Sequence, residues 1–197
     1  MEYNPDKKEI SLGRIPSKLD KFVISFTNIL NKSCDYVIVS GYVSILLGRS
    51  RATEDVDLLI PALDKAKFFE IWNNLYSADF ECLNTSDESE AFKMLEEHAI
   101  RFAVKGKPIP NMEFKIIKND LDKYSFDNKI KVLIDKNMLF LSPIEMQISY
   151  KLFLGSDKDM EDAKHLYVLF SEKLNKEELI YFANKLKVID KLETIKK

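Results

Sequence analysis

Two aspartates one residue apart, Asp55 and Asp57, stand in the otherwise apolar segment 54–60 and have the chemistry to bind a metal ion. The segment alternates in polarity and ends at Pro61, which is typical of a β-strand. Side chains two residues apart in a strand share a face and lie about 6.6 Å apart along the chain. Burying two like charges is costly unless a cation lies between them. Because Mg²⁺ binds carboxylate oxygens together with substrate phosphates, the pair predicts a site that holds Mg²⁺ against a triphosphate.

The two aspartates also have a purely structural explanation, in which the polar end of a strand meets water and pairs with Arg49 or Arg51. The preceding residues bear on this choice, because Gly41 lies between a predicted strand, 36–40, and a predicted apolar helix, 42–48. A glycine at such a turn lets a phosphate approach the backbone. A tight turn without any ligand explains the same glycine, so both interpretations stay open.

The remaining segments predict an α+β fold, with a mixed sheet, flanking helices and a C-terminal helical segment. Helices are predicted at 17–32, 64–76 and 87–97, strands on either side of a loop at 105–111, a hairpin over 129–142, and further helices at 142–155, 159–170 and 176–188. The expected organisation is an α/β domain at 1–141 and a helical segment at 142–197 packed on it.

The helical segment carries a second group of charged residues. A capping box at 142–145, with proline in the first helical position, predicts a helix that ends at Gly155. Lys151 lies on this helix among apolar residues, an unusual place for lysine unless its stem covers apolar surface. Asp159 and Asp162 share a face of the next helix. They could orient Lys151 or a nucleotide, although a solvated helix start explains them equally well.

Composition narrows the setting. Hydrophobic residues make up 46% and charged residues 31% of the 197-residue chain, as in ordinary globular proteins. The net charge of −2 gives no overall basic field for nucleic acid. No apolar run approaches the roughly 20 residues of a membrane-spanning helix, and the charged N-terminus lacks a signal-peptide core. Cys34 and Cys82 lack metal-ligand spacing, so we expect a reduced, cytoplasmic protein without membrane partners.

Two segments resemble a known group of proteins. "SGYVSILLGRSRATEDVDLLI", at 40–60, resembles the signature of the nucleotidyltransferase fold, the DNA polymerase β-like superfamily. Its second half, with Gly48, Arg51 and Thr53 before the aspartates, is similar to minimal nucleotidyltransferases of the AbiEii toxin kind. "LSPIEMQISYKLFLGSDKDMEDAKHL", at 141–166, is similar to a later segment of that group, in which a helix with a lysine precedes a Lys-Asp-x-x-Asp helix.

The resemblance implies an enzyme that transfers a nucleoside monophosphate from a nucleoside triphosphate (NTP) to an acceptor hydroxyl and releases pyrophosphate. Asp55 and Asp57 would hold two Mg²⁺ ions, with a third carboxylate from a later strand. Glu113 is the best match for that carboxylate, although an exposed hairpin residue is an equally simple interpretation. Lys151 would contact the triphosphate.

The resemblance also implies a set of nucleotide-binding residues. They are Ser40, Gly41, Ser44, Arg51 and Thr53 near the first motif, with Lys151, Asp159 and Asp162 in the helical segment. Tyr42 departs from the pattern, because the family has glycine or serine after its first glycine.

Two classes of function follow from these residues. The first is a Mg²⁺-dependent nucleotidyltransferase acting on RNA (a tRNA end, for example), a protein or a small molecule, and serving as the toxin of a toxin–antitoxin pair with an antitoxin protein as partner. The second is a nucleotide- or protein-binding module that keeps the fold without turnover. Tyr42 favours the module, whereas the carboxylates and Lys151 favour the enzyme.

Overall fold

A computed structural model describes residues 1–196 and shows a mixed sheet flanked by helices, which confirms the predicted α+β fold class. In the described residues the sheet has nine strands in the order β1-β2-β8-β9-β3-β4-β7-β6-β5. Their bounds are β1 Glu2–Asn4, β2 Glu9–Leu12, β3 Val37–Ile38, β4 Asp55–Ile60, β5 Phe80–Cys82, β6 Ile100–Val104, β7 Lys107–Ile116, β8 Ile130–Ile134 and β9 Asn137–Leu141.

Helices α1 to α5 alternate with the strands along the chain, and α6 to α9 follow the last strand. Their bounds are α1 Lys18–Leu30, α2 Gly41–Leu46, α3 Lys65–Ser77, α4 Glu88–Glu97, α5 Asp120–Asp127, α6 Ile144–Leu154, α7 Asp157–Phe170, α8 Lys176–Lys185 and α9 Ile189–Ile195. None of the helices within 1–196 has the length and apolar character needed to cross a membrane.

The centre of the sheet is built around β4. This strand pairs antiparallel with β3 and parallel with β7, so the predicted adjacency of the first two strands is confirmed. Val56, Leu58 and Ile60 of β4 are fully buried in the core. Because successive side chains of a strand point to opposite faces, Asp55 and Asp57 lie on the other face.

Several predicted boundaries change. The predicted loop at 105–111 is mostly the first half of β7, which begins at Lys107. The predicted helix at 176–188 ends earlier, as α8 at Lys185, and a turn through Lys187, whose φ is +58°, separates it from α9. Strands β1, β2 and β5 and helices α5 and α9 were not predicted, because these short elements carry little periodicity of their own.

The predicted capping box at the start of α6 is wrong. The N-cap is Pro143 and no side chain caps the helix. The Ser142 hydroxyl instead donates to the Ser125 hydroxyl of α5 at 3.1 Å, and the Glu145 carboxylate accepts from the backbone N–H of Asn175. Both side chains therefore make tertiary hydrogen bonds and do not cap α6. The predicted end of the helix at Gly155 is confirmed, with φ +72°.

Tyr42 points into the core. Its side chain is fully buried and its hydroxyl donates to Asp20 Oδ1 of α1 at 2.7 Å. Arg14 and the backbone N–H of Ser17 donate to the other oxygen of Asp20. Burial opposes ionisation of Asp20, but these hydrogen bonds outweigh it and lower the pKa of the carboxyl. Burial, followed by the Asp20 charge, raises the pKa of the Tyr42 hydroxyl.

Replacing Tyr42 with phenylalanine tests the strength of this buried contact. Tyr42→Phe removes a hydrogen bond to a charged acceptor, so we expect the free energy of unfolding to fall by about 1.5–3 kcal/mol. Urea denaturation measures the change. The control is Tyr181→Phe, whose ring is 57% exposed and which should leave stability within about 0.5 kcal/mol of wild type. Equal effects of the two substitutions would contradict the assignment.

The lowered pKa of Asp20 gives a pH dependence with a defined sign. The stabilisation from ionised Asp20 is fully present above the unfolded pKa of about 3.9 and is lost as the pH falls through the lower folded pKa. The difference in unfolding free energy between wild type and Asp20→Asn should therefore be constant from pH 7 to about 5 and shrink below about pH 3.9. Urea titrations at a series of pH values measure it, and a difference that grows with acid would refute the prediction.

Candidate active site

Three carboxylates lie on one face of the paired strands β4 and β7. Asp57 stands directly opposite Glu113 in the parallel register, and Asp55 is two residues before Asp57. The Asp57 and Glu113 side chains are only 17% and 13% exposed. Glu113 therefore lies beside Asp57 and not across the sheet from it, whereas metal sharing by the three carboxylates and the catalytic role of Glu113 remain predictions.

Lys115 provides the cation for this pair. Its ammonium lies 2.7 Å from Asp57 Oδ1 and 3.1 Å from Glu113 Oε1. Burial opposes the charge on Lys115, but attraction to Asp57 and then to Glu113 raises the pKa of the ammonium. Sequence reasoning missed this residue, although its spacing of two from Glu113 in a strand places it on the same face.

The donor set suits Mg²⁺, because carboxylate oxygens are its preferred protein ligands. The lysine ammonium held between Asp57 and Glu113 shows that this pair attracts a cation. As they stand, however, no three His, Cys, Asp or Glu side chains of residues 1–196 are grouped to hold a metal ion. Asp55, Asp57 and Glu113 are the residues that would hold such an ion.

Asp55 is oriented by its own loop. The Thr53 hydroxyl lies 2.9 Å from the Asp55 carbonyl oxygen and 3.2 Å from Asp55 Oδ1, so it can donate to either. Thr53, predicted to bind nucleotide, is thus placed where it fixes the direction of a carboxylate.

A second charged cluster forms around Asp162 of α7, which is fully buried. Its carboxylate accepts from Arg51 Nε at 3.1 Å and from Arg51 Nη2 at 2.9 Å. Lys151 of α6 lies 3.3 Å from the same carboxylate and 2.7 Å from Asp159 Oδ1. Arg49 also approaches it, at 3.7 Å. We call these five residues the Asp162 cluster.

The cluster decides two questions left open by the sequence. Arg49 and Arg51 form their ion pairs with α7, so the explanation in which they neutralise Asp55 and Asp57 is not observed. Asp159 is more than a solvated helix start, because it holds Lys151. Burial raises the pKa of Asp159, but hydrogen bonds from Lys151 and Ser156 outweigh it and lower the pKa overall.

The turn before α2 packs against the Asp162 cluster. A side-chain carbon added at Gly41 would lie 2.3 Å from Arg51 Nη2, so a larger residue there would force the guanidinium to move. Ser40 has φ +63° and ψ −138°, a backbone conformation that residues other than glycine rarely adopt. Such strain is often found at functional sites.

A cleft of about 740 Å³ opens beside the carboxylates. Ser40, Asp57 and Lys115 line its sheet side, and Gln147 and Tyr150 of α6 line the opposite wall. Gln147 is 3% exposed, and its side-chain oxygen has no hydrogen-bond partner among the described residues. The cleft therefore has Asp57 and Lys115 on its sheet side and, in the opposite wall, a residue whose amide oxygen is buried without a partner among the described residues.

Three residues considered from sequence lie away from the cleft wall. Ser44 is fully buried in α2 with no partner for its hydroxyl among the described residues. Lys151 has a side chain only 3% exposed and is held by two carboxylates. Tyr42 is turned towards Asp20, so its bulk does not obstruct the turn at Ser40 and Gly41.

Comparison with known proteins gives structural matches only. No protein-family model matches the chain, and no curated protein matches it. A nucleotidyltransferase-like antigenic protein from Paracoccidioides brasiliensis superposes with a TM-score of 0.54 at 19% identity, over 92% of this chain and 93% of that one.

The antibiotic-resistance factor ANT(2'')-Ia is similar in two structures. Its solution structure gives a TM-score of 0.56 at 10% identity, over 85% of this chain and 90% of that one. Its complex with adenylyl-2''-tobramycin gives 0.52 at 9% identity, over 87% and 98%. At these identities the likeness establishes a nucleotidyltransferase-like fold, which confirms the broader resemblance, and the AbiEii-like grouping stays a prediction.

Removing the central carboxylate of the Asp162 cluster should be severe. Asp162→Ala leaves the cations of Arg51 and Lys151 buried without their shared partner, so we expect a loss of about 3–5 kcal/mol in unfolding free energy. Asp157→Ala, which removes an exposed carboxylate from the same helix, should cost less than about 1 kcal/mol. Urea denaturation compares the two, and similar losses would show that Asp162 does not organise the cluster.

Proposed function

We propose that this protein is a Mg²⁺-dependent nucleotidyltransferase that transfers a nucleoside monophosphate from an NTP to an acceptor hydroxyl. The observation that supports this most is the position of Asp55, Asp57 and Glu113 on one face of adjacent parallel strands, with Asp57 lining the cleft. The nucleotidyltransferase-like fold makes such a group of carboxylates a candidate reaction centre.

The carboxylates would hold the metal ions. When bound, two Mg²⁺ ions lower the pKa of the acceptor hydroxyl and neutralise the leaving pyrophosphate. Thr53 keeps the Asp55 carboxylate in a fixed direction, and the backbone pairing of β4 with β7 fixes Asp57 beside Glu113. The acceptor oxygen then forms a bond to the α-phosphorus as the bond from that phosphorus to pyrophosphate breaks.

The turn at Ser40 and Gly41 would bind the nucleotide, with Arg51 as the cation nearest to it. The Arg51 side chain is 18% exposed and packs against Gly41. Asp162 fixes its guanidinium, and Lys151 and Asp159 complete the support. We assign these residues to nucleotide binding because a fixed guanidinium recognises phosphate with little loss of side-chain entropy.

The cleft is large enough for a nucleoside or for part of an acceptor. ANT(2'')-Ia was solved with an adenylylated aminoglycoside, which supports a small-molecule acceptor as one candidate. RNA, such as a tRNA end, and a protein hydroxyl are the other candidates. In this proposal the protein acts as a cytoplasmic toxin whose partner is an antitoxin protein, as the sequence resemblance implies.

A binding module without turnover is the second candidate function. It is favoured by Lys115, which already neutralises part of the charge on Asp57 and Glu113. Tyr42, the residue that favoured this alternative from sequence, no longer does so because it is buried away from the turn.

Thermal unfolding and labelled-NTP transfer to total RNA, protein and small-molecule hydroxyls test the proposal together. Mg²⁺ with an NTP should raise the unfolding temperature by more than the sum of each alone, since a ligand at one hundred times its Kd stabilises by about 2.7 kcal/mol. Asp57→Asn should abolish transfer and this synergy, and EDTA should abolish transfer by wild type. Lys151→Ala should weaken NTP binding and spare Mg²⁺ binding.

The matched control is Asp120→Asn, which makes the same change at an exposed aspartate on the edge of the cleft and should keep both signals. If wild type shows NTP-dependent stabilisation but no transfer, the protein is the binding module. If it shows neither with any of the four NTPs at millimolar concentration, the assignment of the cleft is wrong.

A further inference from the structure

Lys115 occupies the position between the two carboxylates that face each other across β4 and β7. Its ammonium bonds to one oxygen of Asp57 and one of Glu113. One other cation contacts this pair in residues 1–196, Arg101 of β6, which lies 3.4 Å from Glu113 Oε2. Lys115 is therefore the group that bridges both carboxylates.

A divalent ion held by Asp57 and Glu113 would compete with the ammonium of Lys115 for carboxylate oxygens. Asp57 and Glu113 together carry two negative charges, and the ammonium neutralises one of them at hydrogen-bonding distance. A metal ion bound at these oxygens would lie within a few ångströms of the ammonium, where like charges repel strongly in a partly desolvated site. The two cations would therefore compete for these carboxylates.

The displaced ammonium has a place to go. The Lys115 side chain is 37% exposed and lines the cleft beside Asp57 and Ser40. Lysine has a flexible stem of four carbons, so its ammonium can move into the cleft without a change in the backbone. There it would meet the phosphates of a nucleotide bound at the turn before α2.

We propose that Lys115 acts as an internal counter-ion: it competes with the metal for Asp57 and Glu113, and on release it contacts the phosphates of the NTP. The inference rests on the proposed function and assigns regulation of that same site. Without NTP, only the fraction of molecules with Lys115 displaced is ready to bind metal, which weakens the apparent affinity. NTP favours the displaced position, so NTP and metal each strengthen the binding of the other by the same factor.

Manganese binding, measured by electron paramagnetic resonance, tests the competition without any need for turnover. Lys115→Met removes the ammonium and keeps the length of the side chain. We expect the affinity for Mn²⁺ alone to rise about tenfold, since a competing charge at this distance is removed. The strengthening of Mn²⁺ binding by a non-hydrolysable NTP analogue should shrink in the same variant, because no ammonium is left to contact the phosphates.

Two controls separate competition from a general change of charge. Lys118→Met removes the same charge from the same cleft, at a residue whose ammonium donates to the Glu97 backbone carbonyl and touches neither carboxylate. It should leave Mn²⁺ affinity within about twofold of wild type. Lys115→Arg keeps the charge and should keep the weak affinity. Should Lys115→Met fail to fold by circular dichroism, Lys115→Gln replaces it.

The outcomes distinguish this inference from the proposed function. If Asp57→Asn binds Mn²⁺ as wild type does, the metal does not bind at Asp57 and the proposed function fails. If Asp57→Asn loses Mn²⁺ but Lys115→Met binds it no more tightly than wild type, only the role of Lys115 is overturned. An equal rise in Lys115→Met and Lys118→Met would also overturn it, because the effect would then come from net charge alone.

Discussion

The structure depends on the register in which β4 pairs with β7. That register sets Asp57 opposite Glu113 on a partly buried face of the sheet. Two like charges at that separation destabilise the sheet unless a cation joins them. The same backbone pairing that completes the core therefore places two carboxylates together, and they require a positive charge beside them. Lys115 supplies this positive charge in the ligand-free chain, and its presence weakens the binding of any other cation to the same carboxylates.

The second constraint is the buried charge of Asp162. A fully buried carboxylate is stable only when it is paired, and here the partners come from the loop before β4 and from α6. Asp162 thereby ties the helical segment to the turn at Gly41, where Arg51 packs. Asp162, Arg51 and Lys151 thus hold the helices on the sheet. The same charges would also fix the position of Arg51 beside a phosphate bound at the turn.

Local patterns were enough to predict β4, the helices with clear caps and the shared face of Asp55 and Asp57. These features depend on residues a few positions apart. Lys115 was missed because its contacts require the β4–β7 register, which long-range pairing decides. The Ser142 capping box failed for the same reason, since a contact with α5 replaced the local one.

Tyr42 shows a limit of another kind. It follows Gly41, where the family has glycine or serine, and from sequence it favoured a module without turnover. In a helix, however, each residue is rotated by roughly 100° from the one before it, so neighbours in sequence face different surroundings. The turn that places Ser40 at the cleft wall carries Tyr42 into the core. Lys151 was expected to touch the triphosphate directly, and its ammonium is instead held by Asp159 and Asp162, so its proposed role is to support Arg51.

The backbone at Ser40 has an evolutionary consequence. A non-glycine residue in this conformation costs on the order of 1–3 kcal/mol, whereas glycine would adopt it with little strain. Selection for thermal robustness alone would therefore replace this serine with glycine. The serine brings a hydroxyl to the cleft wall, which glycine cannot do. At Ser40, stability and chemistry therefore favour different residues. A search for more stable variants would favour Ser40→Gly and thereby lose the hydroxyl from the cleft wall.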